Sequence, residues 1–187
     1  MDIALIGCGA IGTTIARAMK DGIVDVQMAL VMDRTLEKAE TVAGLAGAKV
    51  ARGIDDIIKS DVDLVVEGAS QEAVRLYGVD VIASGKALMV MSVGAFADEE
   101  LLKRMLNAAG ENGVKIYVPS GAIGGLDALA SASIAELDEV VLSTTKSPES
   151  LGLTDITEKS VVYEGTARGA VKHYPANINV SASLSLA

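Results

Sequence analysis

Residues 3–6, a run of four apolar side chains, pass without a spacer into Gly7-Cys8-Gly9-Ala10-Ile11-Gly12, and an amphipathic segment follows at once. Few local patterns restrict a chain as strongly. A strand that turns on glycine straight into a helix uses Gly7 for the tight turn, Gly9 where the backbone must be approached closely, and Gly12 where helix and strand pack together. The first N–H groups of that helix, at Ala10 and Ile11, have no backbone acceptor and lie at the positive end of the helix dipole. A pyrophosphate suits such an end. The hexapeptide alone is equally compatible with an ordinary tight turn; its position directly behind the first strand is what favours a dinucleotide.

The alternation continues along the chain. Short apolar runs at residues 26–32, 64–66, 87–91 and 115–118 read as buried strands, with a shorter one at 49–51. Helical patterns at residues 11–20, 36–45, 71–83 and 98–107 lie between them, and residues 52–59 hold a turn or two of helix. Strand and helix in strict succession, with Val, Ile and Leu filling the strands, predict an α/β fold built on a Rossmann-type doubly wound parallel sheet. Beyond Asp127 the rhythm changes. Residues 140–145 and 160–163 read as strands joined by a polar loop containing Pro148, and residues 166–173 and 178–186 as helices. The predicted organisation is a dinucleotide-binding domain over residues 1–119 and a partial α+β substrate or catalytic domain over residues 120–187.

Composition narrows the partners. Half of the 187 residues are apolar, enough for one complete buried core and part of a second. One Cys and one His provide neither a disulfide framework nor a structural zinc site, so no metal and a reducing, cytoplasmic setting are expected. No basic leader precedes the first strand, and no apolar run approaches the roughly 20 residues that span a bilayer. Export and membrane insertion are therefore not expected. A net charge of −9, with Lys and Arg scattered, disfavours nucleic acid. An anionic substrate must then be held by local donors and not by the overall field.

Asp33 stands about 20 residues beyond the last glycine, where a carboxylate accepts hydrogen bonds from the adenine ribose hydroxyls. This favours NAD; the neighbouring Arg34 keeps NADP open, since a guanidinium can take a 2′-phosphate if Asp33 turns away. Three further segments fall at the carboxyl ends of strands, where an open parallel sheet presents its ligand crevice. In Glu67-Gly68-Ala69-Ser70-Gln71, the small Ala69 and Ser70 allow a nicotinamide ribose to lie near the backbone, while Gln71 is equally a helix-start residue. Ser92 offers a hydroxyl to the nicotinamide end, although an ordinary loop with Asp98 capping the next helix explains that segment as well. The third segment is Ser120-Gly121-Ala122-Ile123-Gly124-Gly125-Leu126-Asp127. Backbone N–H groups from Gly121 through Ile123 and Gly124 to Gly125 can form an anion nest for a substrate carboxylate, with Ser120 beside it. Asp127 is a candidate cap for the helix that begins near residue 128.

Taken in order, the segments GCGAIG, EGASQEAV, SVGAFAD, PSGAIGGLDAL and NINVSASLSLA make the chain resemble the L-aspartate dehydrogenase family over nearly its whole length. SGAIGGLDA and the Asn-x-Asn-Val motif are more specific than the first glycines. The resemblance implies an NAD- or NADP-dependent oxidative deamination of L-aspartate in NAD biosynthesis. Hydride leaves Cα for the nicotinamide, giving iminosuccinate, which water converts to oxaloacetate and ammonia. It also implies cofactor contacts at Ala122 and Asn179, the latter able to donate to and accept from a carboxamide. Asn179 has a simpler reading as a helix cap before Val180.

In the resembled family a histidine is catalytic and lies after the Asn-x-Asn-Val helix. No residue of this chain is therefore expected to be that histidine: the position lies beyond Ala187. His173 precedes the helix and reads as a helix-end residue near a favourable dipole. The last eight residues are apolar and helical without a glycine stop or basic last turn. The expectation is a second domain that continues past Ala187, and cofactor binding with little turnover by residues 1–187 alone. The partners expected are L-aspartate and, as a homodimer, a second copy of the chain. A non-catalytic NAD-binding module, and a dehydrogenase of a related amino or imino acid such as homoserine, are the alternatives.

Overall fold

The computed structural model describes residues 1–121, 123–174 and 179–186. It divides into two compact units, Met1–Pro119 and Ser120–Ala187.

In the first unit, β1 (Asp2–Ile6), α1 (Ala10–Lys20), β2 (Gln27–Met32), α2 (Leu36–Ala46) and β3 (Lys49–Val50) form one half. The other half comprises α3 (Ile54–Ile58), β4 (Leu64–Glu67), α4 (Gln71–Ala83), β5 (Ala87–Val90), a 3-10 turn (Val93–Ala97), α5 (Glu99–Asn112) and β6 (Ile116–Tyr117). All neighbouring strands run parallel, in the order β3-β2-β1-β4-β5-β6. This is the doubly wound Rossmann topology, and its order reverses between β1 and β4, where such sheets bind ligands.

Alternate strand residues serve opposite faces. Ile3, Leu5, Leu64 and Val66 pack with Ala16 of α1 and with Ala39 and Val42 of α2 in one apolar cluster. Ile6 and Leu88 meet Val74 and Val81 of α4 on the other side of the sheet. Leu5, Val31 and Val65 are wholly excluded from solvent, and each such side chain stabilises the fold by about 1.5–3 kcal/mol relative to exposure. The strand ends fall in line: Ile6 lies opposite both Met32 and Glu67, and Glu67 opposite Val90. One carboxyl edge therefore gathers every loop that follows these strands.

The helix limits follow local chemistry. Asp98 caps α5 by accepting from Leu101 N at 3.1 Å, and Gly113 ends the helix with φ +64°. The helix runs five residues past the expected 98–107 because buried Ala108 and Ala109 prolong its apolar face and carry it through Gly110 to the left-handed stop at Gly113. Lys86, buried before β5, donates from Nζ to the Ile58 carbonyl at 3.0 Å and ties down the end of α3.

The second unit holds α6 (Leu126–Ala132), a 3-10 turn (Glu149–Leu151), α7 (Ala167–His173) and α8 (Asn179–Leu186). The strands expected at residues 140–145 and 160–163 do not form; among the described residues this unit contains no strand. Val141 and Val161 are 74% and 81% exposed. Apolar, β-branched composition is not sufficient for a strand, which exists only through a ladder of backbone partners, and neither segment has one here. Asp127 is not a cap either: α6 begins at Leu126 behind Gly125, and Asp127 sits within its first turn. There its charge complements the helix dipole. Among the described residues no helix is long and apolar enough to cross a membrane.

Candidate dinucleotide site

The three fingerprint glycines differ in what surrounds them. Gly7 has φ +102°, and a Cβ on it would lie 2.6 Å from the Ala69 backbone nitrogen and Cα. Its N–H donates to the Met32 carbonyl at 2.8 Å, so the turn after β1 is wedged between the ends of β2 and β4. At Gly12 a Cβ would collide with the Gly7 carbonyl oxygen and stand 3.0 Å from Leu5 Cδ2. Both positions are closed by the protein itself. Gly9 is different: it has an ordinary φ of −77°, and a Cβ there would meet nothing within 4 Å. Nothing in the fold requires glycine at this position. The space in front of it, at the start of α1 where exposed Ala10 and Ile11 carry the first helical N–H groups, is open to a ligand.

Gly9→Ala is therefore expected to cost the protein less than about 1 kcal/mol, the scale of a helix N-cap change. Affinity for NADH is expected to fall by about 10-fold or more, because the methyl occupies the pyrophosphate approach. Thermal melts and calorimetric titration check the pair. An affinity equal to wild type would remove Gly9 from the site.

Asp33, at the end of β2, uses both carboxylate oxygens on the backbone. Oδ2 accepts from Cys8 N at 2.7 Å and Oδ1 from Thr35 N at 2.8 Å. The carboxylate thus ties the glycine turn to the start of α2, while each oxygen keeps acceptor capacity for a ribose hydroxyl. Arg34 beside it is exposed. An open groove of about 450 Å³ runs from Gly9, Ala10 and Thr13 to Glu37, Lys38 and Thr41. It continues the space in front of Gly9 along α2, on the side where Asp33 stands.

Cys8 faces inward between the two glycines. Burial first, and the Asp33 carboxylate second, push its thiol up to about 11. At pH 8 only about one molecule in a thousand then carries the reactive thiolate. Alkylation by iodoacetamide is expected to be far slower than for a free thiol; rapid stoichiometric labelling of the native protein at pH 8 contradicts this. The folded thiol holds its proton more tightly than the unfolded one, whose ordinary value is 9.0. Its contribution to stability is thus intact below pH 9 and is lost as the pH rises from about 9 to about 11. Comparison of Cys8→Ala with wild type across that window isolates the effect.

Glu67 is the residue that sequence reasoning passed over. It ends β4, is 2% exposed and gathers two loops. Oε1 accepts from Ala69 N at 2.8 Å, Ser70 N at 2.9 Å and Ser92 Oγ at 2.9 Å, while Oε2 accepts from Ser92 N at 3.0 Å. One carboxylate therefore shapes the turn after β4 and the turn after β5 together. The signal was present: a single acid closing the apolar strand Leu-Val-Val-Glu, where burial demands a set of donors. Ser70 also caps α4, accepting from Ala73 N at 3.2 Å, and Gln71 opens that helix.

The structure brings Gly7, Gly9, Gly12, Asp33, Ala69, Ser70 and Ser92 to one carboxyl edge of the first unit. In the second unit, Ile123 N donates to the Ser120 carbonyl at 3.4 Å. Gly121 and Gly125 have φ +64° and +77°, and Ser120 and Gly124 are exposed. Ala122 lies outside the described residues. Asn179 opens α8. His173 ends α7 as expected, with its ring 5.7 Å from that of Tyr163 and 4.9 Å from that of Tyr174.

This sheet order, with an open glycine at the first turn and an acid at the end of β2, defines an NAD(P)-binding dehydrogenase domain. Residues 7–119 match the family described as homoserine dehydrogenase, NAD binding domain, and residues 127–187 match aspartate dehydrogenase, C-terminal. L-aspartate dehydrogenases of Methanocaldococcus jannaschii and Methanothermobacter thermautotrophicus are 43% and 45% identical. Both alignments cover 100% of this chain, and 74% and 72% of those relatives. The crystal structure of aspartate dehydrogenase from Thermotoga maritima, 30% identical, superposes with a TM-score of 0.74, covering 100% of this chain and 73% of that one. The chain belongs to the L-aspartate dehydrogenase family, a family of NAD(P)-dependent oxidoreductases.

Proposed function

We propose that the chain acts on L-aspartate, removing hydride from Cα to yield iminosuccinate, within NAD biosynthesis. The identity shared with L-aspartate dehydrogenases along the entire chain carries this reading, and the open space at Gly9 supports it physically. The nicotinamide, when bound, supplies the hydride acceptor. The protein's own work is placement. Gly7, Gly9 and Gly12 with the N–H groups of Ala10 and Ile11 hold the pyrophosphate, and Asp33 accepts from the adenine ribose. Ala69, Ser70 and Ser92 border the nicotinamide end. Ala122 and Asn179 are proposed as further cofactor contacts. Ser120, Gly121, Ile123, Gly124 and Gly125 are proposed to receive a substrate carboxylate on backbone donors, which answers the chain's overall negative charge. His173, whose ring meets that of Tyr163 at a tilt and that of Tyr174 edge-on, is assigned no catalytic role.

NAD is proposed as the preferred dinucleotide. A 2′-phosphate requires Asp33 to swing away, which strips the exposed Thr35 N–H and the part-buried Cys8 N–H of their acceptor; water can serve the first, while leaving the second unmade costs about 1 kcal/mol or more. Arg34 alone offsets only part of that. The protein is further proposed to work in the cytoplasm as a homodimer, with support from its single reduced cysteine and from exposed Ile134, Val141 and Val161.

The test is titration with NAD and NADP, followed by L-aspartate or homoserine, with the nicotinamide absorbance band as readout. Tighter binding of NAD than of NADP is expected, with L-aspartate tightening it further; aspartate-dependent reduction at any rate identifies the substrate. Reduction by homoserine instead assigns a different substrate. Dinucleotide binding that L-aspartate neither reduces nor tightens assigns a non-catalytic module.

A further inference from the structure

We propose that Glu67 is a positioning residue that sets the hydrogen-bond polarity of Ser92, making the Ser92 oxygen a fixed acceptor for the carboxamide NH₂ of nicotinamide. The inference rests on the proposed placement of Ser92 at the nicotinamide end. A hydroxyl has one proton and two lone pairs, and a carboxylate only accepts. The 2.9 Å contact from Ser92 Oγ to Glu67 Oε1 therefore consumes the proton of Ser92. What remains on that oxygen is acceptor capacity alone.

The arrangement is rigid for reasons visible around it. The backbone N–H of the same residue donates to Oε2 at 3.0 Å, so the carboxylate grips Ser92 at two points and fixes both its position and its rotor. The other side of the grip is the turn after β4, where Ala69 N and Ser70 N complete the donor set on Oε1. Glu67 is itself buried and cannot be the group that meets the cofactor, whereas Ser92 is only half-buried. A carboxamide turned with its NH₂ toward Ser92 finds an acceptor; turned with its oxygen toward Ser92, it faces another oxygen. Glu67 thus selects one rotamer of the carboxamide, and with it one orientation of the ring.

Reduced 3-acetylpyridine adenine dinucleotide, in which a methyl replaces the NH₂, is the probe. Calorimetric titrations compare it with NADH. Wild type is expected to prefer NADH by about tenfold, the scale of one hydrogen bond. Ser92→Ala is expected to reduce that preference to about twofold or less, and Ser92→Thr, which keeps the hydroxyl, to preserve it. Glu67→Met keeps an unbranched side chain of similar length but frees the Ser92 rotor, and its preference is expected to fall toward that of Ser92→Ala while both dinucleotides still bind. A change in thermal stability alone does not alter this ratio.

An unchanged preference in Ser92→Ala overturns the proposal. So does a folded Glu67→Met that keeps the wild-type preference after Ser92→Ala has lost it. If Glu67→Met does not fold, Ser92→Ala against Ser92→Thr decides, because both leave the carboxylate in place. Wild type that binds neither dinucleotide overturns the dehydrogenase reading and this inference together, whereas wild type that binds NADH without discriminating overturns the inference alone.

Discussion

Gly12→Ala is expected to destabilise the first unit by about 3 kcal/mol or more and to abolish NADH binding. The added methyl would press on the Gly7 carbonyl oxygen, a backbone atom, and on Leu5 Cδ2 at 3.0 Å. A flexible side chain can yield a few tenths of an ångström; this carbonyl can do so only if the turn after β1 opens. That turn is held from both sides, by the Gly7 N–H on Met32 and by the Ala69 backbone against Gly7. Relief therefore requires α1 to lift from the sheet, which takes the first helical N–H groups away from any pyrophosphate. A fall in Tm of roughly 10 °C is the expected scale. A variant with wild-type melting and wild-type NADH affinity sinks the packing argument. Set beside the mild cost expected for Gly9→Ala, it separates a glycine that the fold needs from one that a ligand needs.

Glu67→Met is expected to cost about 3 kcal/mol or more at nearly constant side-chain length. The substitution removes the acceptor from Ala69 N, Ser70 N, Ser92 N and Ser92 Oγ at once. Each buried donor left unmade costs about 1–3 kcal/mol, with water relieving those nearest the surface. Denaturant unfolding gives the magnitude. Amide hydrogen exchange gives the location: the N–H groups of Ala69, Ser70 and Ser92 are expected to lose protection while those of Leu5 and Val31 keep it. If these three amides stay protected, the clasp does not hold the two turns.

The first unit was largely legible because its signals are local and repeated. The four inner strands, β2, β1, β4 and β5, each carry a short apolar run, and burial on both faces requires that pattern. Helix α4 occupies the expected residues 71–83, and Asp98 caps α5 by the chemistry its type suggested. Residues 140–145 and 160–163 show the limit of such reading. Their composition suits a strand, but pairing is a non-local property, and among the described residues no strand pairs with them.

The sequence by itself determined the order of strands and helices in the first unit, the three glycines, the acid at the end of β2, and the family. Each of these depends on residue type and spacing, which the chain carries in one dimension. Only the tertiary structure decided which glycine the fold itself does not need, because Ala69 closes Gly7 from across the sheet edge, the Gly7 carbonyl and Leu5 close Gly12, and nothing approaches Gly9. It alone also showed that Asp33 is committed to the backbone, and that Glu67 and Ser92, 25 residues apart, act as one unit. The register of β4 on β5 sets Glu67 against Val90, and so places its carboxylate beside the turn that carries Ser92. That register is fixed by the packing of both sheet faces, and no residue in either segment states it alone.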